Sequence, residues 1–112
     1  MFSAVLEWAD AQPLAPERII SGSPVGRMAL GTAPVSATFG QWEGTPGHFT
    51  AIPSANDEVV TIISGRGLLR GRDGAEFHLE PGKTFEIPAG YDGEWEIHET
   101  IRKAFVFLAP AA

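Results

Sequence analysis

The sharpest hydrophobic pattern follows Glu58, where one glutamate opens an otherwise apolar, β-branched run, Val59-Val60-Thr61-Ile62-Ile63. Such a run predicts a strand with both faces covered. Ser64-Gly65-Arg66-Gly67 comes next and permits a reversal or a bulge. Residues 68–72 and 75–80 flank Asp73-Gly74, a two-residue hairpin signal. In the second arm Phe77 and Leu79 alternate with Glu76, His78 and Glu80, which predicts one dry face and one wet face. The same period puts Phe85 and Ile87 inward over residues 84–87, and sets Trp95 and Ile97 against Glu94, Glu96 and His98. Residues 102–108 form a last apolar strand flanked by charge.

Upstream the pattern is looser. Thr38-Phe39-Gly40-Gln41-Trp42-Glu43 has strand propensity, and Gly44-Thr45-Pro46-Gly47 reads as a turn. Residues 48–52 resume as a strand, and 53–57 are turn-rich. Residues 17–24 predict a short strand ending in a turn at Ser21-Gly22-Ser23-Pro24. Residues 1–8 predict an edge strand or an arm, and Pro13 and Pro16 restrict the next stretch to places where no amide donor is needed. Residues 26–34 carry small side chains without a period and predict a loop. No segment has a helical period. Roughly eight to ten short strands, with turns about every 8–12 residues, predict a sandwich or barrel.

Composition narrows the functions open to such a barrel. With 112 residues the chain suffices for one domain with one core. Thirteen glycines and nine prolines suit many turns. The formal net charge is −6 and no basic run occurs, so nucleic acid and anionic membrane are poor partners. There is no cysteine, which excludes disulfides, thiolate nucleophiles and cysteine-based metal sites. No stretch approaches the length needed to cross a bilayer, and the first residues lack a basic leader, so a cytoplasmic protein is expected. The serines lack an adjacent histidine–carboxylate pattern, and Gly65-Arg66-Gly67 is not followed by a helix, so neither a nucleophile triad nor a phosphate loop is predicted.

Two spacings carry a family resemblance. Glu58, six residues and Gly65 resemble the end of the first cupin motif; Gly82, Pro88 and Gly90 resemble the second. Gly40-Gln41-Trp42-Glu43, Pro46-Gly47, Trp95 and Arg102-Lys103 further resemble small single-domain cupins related to the (S)-ureidoglycine aminohydrolase cupin domain. The likeness covers about two thirds of the chain, residues 35–108. It implies an all-β, single-domain fold, the cupin-type double-stranded β-helix or jelly-roll barrel. Residues 1–34 would supply an arm and edge strands, and residues 35–112 the barrel. Two antiparallel sheets would enclose a small lumen, and uncovered edges imply a homodimer.

The usual cupin metal centre takes a His-x-His pair, the glutamate and a later histidine. Here the pair would fall at Ile52 and Ser54 or at Ala51 and Pro53, and the later histidine at Gly93. Only Glu58 remains, and a lone carboxylate does not hold a divalent transition metal. No cofactor is therefore expected; were a divalent metal bound, Glu58 and His48 would be its ligands. Glu58, placed by the resemblance at the lumen mouth, is the candidate acid or base. The ligand pocket is expected from Trp42, Glu43, Phe49, Glu58, Tyr91, Trp95 and Lys103. The tryptophans would give an aromatic wall, and Lys103, on the face of Phe105 and Phe107, would pair with Glu58 or bind a ligand carboxylate. His78 and His98 are expected at the surface, and Trp8 in packing or in the arm. Three functions are compatible with these residues: an enzyme of the ureidoglycine aminohydrolase-like group acting on a small nitrogenous or carboxylated metabolite, a metal-free module binding a small molecule or sugar, or an accessory subunit with a filled lumen.

Overall fold

The computed structural model describes residues 6–31 and 38–108. Ten strands run in chain order: β1 (Leu6–Trp8), β2 (Gln12–Pro13), β3 (Ile19–Ser21), β4 (Val25–Gly31), β5 (Thr38–Gly44), β6 (Gly47–Thr50), β7 (Glu58–Gly71), β8 (Glu76–Leu79), β9 (Thr84–Ile87) and β10 (Gly93–Phe107). A single 3-10 turn, Pro16–Arg18, precedes β3, and the described residues contain no α-helix. The resemblance implies two sheets. Instead every strand belongs to one hydrogen-bonded antiparallel sheet, because β7 and β10 are long enough to serve both halves. On one edge β10 pairs with β7 along its length; on the other it pairs with β6 through residues 94–97 and with β5 through residues 101–107. Strand β7 likewise carries β9 at its start and β8 at its end.

The bend that wraps the sheet lies at Ser64-Gly65-Arg66-Gly67, which is a bulge rather than a reversal. The β7–β10 register shifts between Ile97 and Lys103, opposite this segment. Gly65 has φ +96°, and a Cβ there would strike the Thr100 carbonyl. Only glycine accepts both conditions. The hairpin at Asp73-Gly74 also differs from a two-residue turn. The Gly74 amide donates to the Gly71 carbonyl and the Gly71 amide to the Ala75 carbonyl, with Gly74 at φ +88°. This is a type I turn closed by a left-handed residue, the usual three-residue solution.

Burial along β7 alternates: Glu58, Val60 and Ile62 are buried, whereas Ile63 is 43% exposed. The β-branched run therefore covers one face only, not two. Val60 and Ile62 join Phe49, Leu69, Leu79, Trp95, Ile97, Ile101 and Phe105 in one core. Phe85 is only partly buried, and Phe77, expected on the dry face, is exposed and packs on Phe85 at 4.5 Å between ring centres.

Residues 25–31, expected to be largely loop, form β4 between β1 and β5. Their small side chains answer to β5. Gly26 lies beneath the Trp42 ring, and a Cβ on Gly31 would enter the Phe39 ring. The rest of that predicted loop, and the predicted barrel boundary at residue 35, lie outside the described residues. No helix among them is long and apolar enough to cross a membrane.

Candidate functional site

Strand alternation and register bring the site together. Trp42 on β5 and Lys103 on β10 are cross-strand partners, as are Phe49 on β6 and Trp95 on β10. Glu58 opens β7, four residues before Ile62, the partner of Lys103 on the other edge. All five point inward. The Lys103 ammonium donates a hydrogen bond to Glu58 Oε2 at 2.8 Å, and each residue is 8% exposed. The ammonium also stands 4.8 Å from the centre of the Trp95 ring, 5.6 Å from Phe105 and 5.7 Å from Trp42. Aromatic faces attract a cation, most strongly when water is excluded. Burial lowers the Lys103 pKa from the usual lysine range, opposed by the Glu58 charge and hydrogen bond.

These side chains line a cavity of about 510 Å³ together with Phe49 and Tyr91. The N-terminal arm closes part of its mouth with Leu14 and Arg18. Arg18 donates from Nε and from one terminal nitrogen to the Thr50 carbonyl, at 3.1 and 2.9 Å, and lies over the Phe49 ring. Burial pulls its pKa down, with Glu17 opposing. Neither Leu14 nor Arg18 carries a sequence signal, since the arm is placed by long-range pairing of β2 with β4 and β3 with β6.

Glu43 does not belong to this pocket. It follows Trp42, and consecutive strand residues face opposite ways. Its carboxylate accepts from Arg27 at 3.0 and 3.3 Å and from Arg102 at 3.1 and 2.7 Å, which hold its pKa below the ordinary carboxylate value. The two guanidinium groups also stack on Trp8, so that ring anchors the arm from outside. His48 likewise faces outward, with Nε2 2.6 Å from Glu94 Oε1. It does not approach Glu58, which removes the alternative Glu58–His48 metal pair. His78 and His98 are exposed.

The positions where a cupin metal would draw its imidazoles are adjacent: the Ala51 amide donates to the Gly93 carbonyl at 2.9 Å. Neither carries a ligating side chain, and Ile52 is 68% exposed. At Gly93 a Cβ would collide with the Arg70 carbonyl and lie 2.5 Å from the Tyr91 hydroxyl. Tyr91 has thus taken the room a side chain at residue 93 would need. Its hydroxyl is buried beside the Glu94 backbone without closing a hydrogen bond, and burial raises its pKa. No group of three or more potential ligands gathers among the described residues. A carboxylate already bound to an ammonium, with no imidazole near, does not fit a divalent transition metal.

The second-motif turns are backbone devices that frame this site. Gly90 at φ +75° lets the Tyr91 amide reach the Pro88 carbonyl, while the Gly90 amide donates to Ser54 and the Ala89 amide to Asp57 Oδ1. Gly82, at φ +89°, donates to the Ile62 carbonyl.

The family model described as EutQ-like cupin domain matches residues 34–105. No curated protein matches the sequence. Among solved structures, a protein of unknown function from Pseudomonas syringae pv. tomato, of the DUF861 family, is similar at 25% identity and TM-score 0.73, covering 94% of this chain and 45% of that one. The Clostridium difficile EutQ protein shares 18% identity at TM-score 0.66, over 75% of this chain and 62% of its own. A Salmonella typhimurium putative ethanolamine utilization protein shares 16% at TM-score 0.64, over 81% and 73%. The chain thus spans about half to two thirds of the first two structures it resembles. The match of 72 consecutive residues to one family model, on an antiparallel barrel of this topology, carries the assignment: the chain belongs to the family of EutQ-like cupin domains.

Proposed function

We propose that this domain binds a small molecule without a metal, in the cavity bounded by Trp42, Phe49, Trp95, Tyr91 and the Glu58–Lys103 pair. One observation carries the reading: a buried lysine ammonium, held on Glu58 at 2.8 Å and ringed by three aromatic side chains, supplies the cation that other cupins obtain from a metal. An apolar enclosure with a few convergent polar groups is the usual form of a ligand site. A cavity of about 510 Å³ speaks against an accessory subunit with a filled lumen. A thermal-shift screen against ureides, amino acids and sugars tests the proposal. A ligand that raises the unfolding temperature should lose its effect in Trp42→Ala, and an unchanged shift would place the ligand elsewhere.

A second reading, an enzyme resembling the ureidoglycine aminohydrolase group, draws on one further observation. Burial makes Lys103 easier to deprotonate, and Glu58 stands within hydrogen-bonding distance to exchange that proton as acid or base. Pairing of two copies through the uncovered edges is compatible with both.

A further inference from the structure

We propose, resting on the binding reading above, that the pocket selects a charge-neutral amide carried on an apolar or aromatic body and rejects the corresponding carboxylate. The cavity contains one ammonium, and Glu58 already compensates it at 2.8 Å. A ligand carboxylate would have to share Lys103 with Glu58 inside apolar walls. Two carboxylates held on one buried cation repel each other, and the second charge loses its hydration without a full partner. Arg18 keeps three N–H donors beyond those given to the Thr50 carbonyl. It stands on the arm over the Phe49 ring, however, and makes no hydrogen bond to the Glu58–Lys103 pair, where the ligand's polar edge is read. Asp10 and Arg27, also on the lining, bring one charge of each sign.

The unused hydrogen-bonding capacity points to the complementary ligand. A lysine ammonium has three donors, and Lys103 uses one among the described residues. Glu58 Oε1 accepts no hydrogen bond from them, and it is not among their fully enclosed unpartnered atoms. The pair therefore presents a donor and an acceptor side by side. A primary or secondary amide has the matching set on one planar edge, a carbonyl oxygen for Lys103 and an N–H for Glu58. It satisfies both without bringing charge. The remaining wall near the pair is aromatic, with Trp42 and Trp95 centred 6.1 Å apart and Phe49 6.2 Å from Trp42, which favours a flat apolar body over a polyhydroxylated one.

Four probes of similar shape test this on the unmodified chain: benzamide, benzoate, N,N-dimethylbenzamide and toluene, titrated calorimetrically and by tryptophan fluorescence at neutral pH. Benzamide should bind about tenfold more tightly than benzoate or the dimethylated amide, since those lose either neutrality or the N–H. In the double variant Glu58→Gln/Lys103→Met, whose fold circular dichroism checks, that preference should fall to within about threefold. Benzoate binding as well as benzamide would overturn the proposal, as would equal binding of the dimethylated amide. If toluene still binds in either case, the cavity reading survives alone. If none of the four binds, toluene included, both fall together.

Discussion

Two ion pairs stand back to back on β10, one reaching Glu43 on β5 and the other Glu58 on β7. Arg102 and Lys103 are consecutive on β10 and so face opposite ways, which puts Arg102 with Glu43 outside the barrel and Lys103 with Glu58 inside. Inside, Lys103 meets Glu58 among rings, with each side chain 11% exposed. Outside, Arg102 meets Glu43 beside Arg27, with side-chain exposures of 34% and 24%. The chemistry is the same and the solvent is not. Inside, each charge depends on its partner because water cannot replace it. Outside, water is the alternative partner, and the network instead fixes Trp8 and the arm.

The sharpest way to break this comparison is to remove one member of the inner pair. Lys103→Met should destabilise the fold by about 3–5 kcal/mol in denaturant unfolding, by stranding the Glu58 carboxylate. Glu58→Gln/Lys103→Met should recover most of that loss, and a double-mutant cycle measures the coupling. A cycle with no coupling would mean that the pair does not act as a unit. Next in size, Gly93→Ala should cost about 1–3 kcal/mol, because its Cβ meets the Arg70 carbonyl and the Tyr91 hydroxyl.

The smallest effect belongs outside. Glu43→Gln should cost less than about 1 kcal/mol at neutral pH. The sign of its pH dependence is fixed by the lowered folded-state pKa of Glu43. The native state holds that proton less readily than the unfolded chain, so the carboxylate contributes its full stability above the unfolded value. That contribution disappears as pH falls through the folded value. Unfolding curves of wild type and Glu43→Gln should therefore converge in acid and separate toward neutrality.

Much of the inner pair is legible in the sequence. Period-two alternation puts Lys103 on the face of Phe105, and the motif spacing puts Glu58 at the start of its strand. The same rule, applied one residue further, excludes Glu43 from the side of Trp42, although the two are neighbours in the chain. The turn glycines are legible because the positive φ at Gly65 and Gly90 is a demand of the local backbone. Strand β4 is not, since Gly26, Ala29 and Gly31 look like loop until the β5 rings above them are known. Nor is the alternation hidden in Val59-Val60-Thr61-Ile62-Ile63, where an apolar residue at the surface reads the same as one in the core. Arg18 reaches the cavity only through pairing across the barrel, which no local pattern encodes.

Strand β10 has a kinetic consequence. Three other strands, β5, β6 and β7, take their ladders from it, and it comes after all of them in the chain. While it is absent, β7 can recruit only β8 and β9, β5 only β4 and β6 only β3, and the β10 partners of Trp42 and Phe49 are missing. Loop closure over such separations is slow, and open strand edges persist until it happens. Closure of the barrel and assembly of the pocket are therefore one event: the segment that zips the last ladders also delivers Trp95 and Lys103.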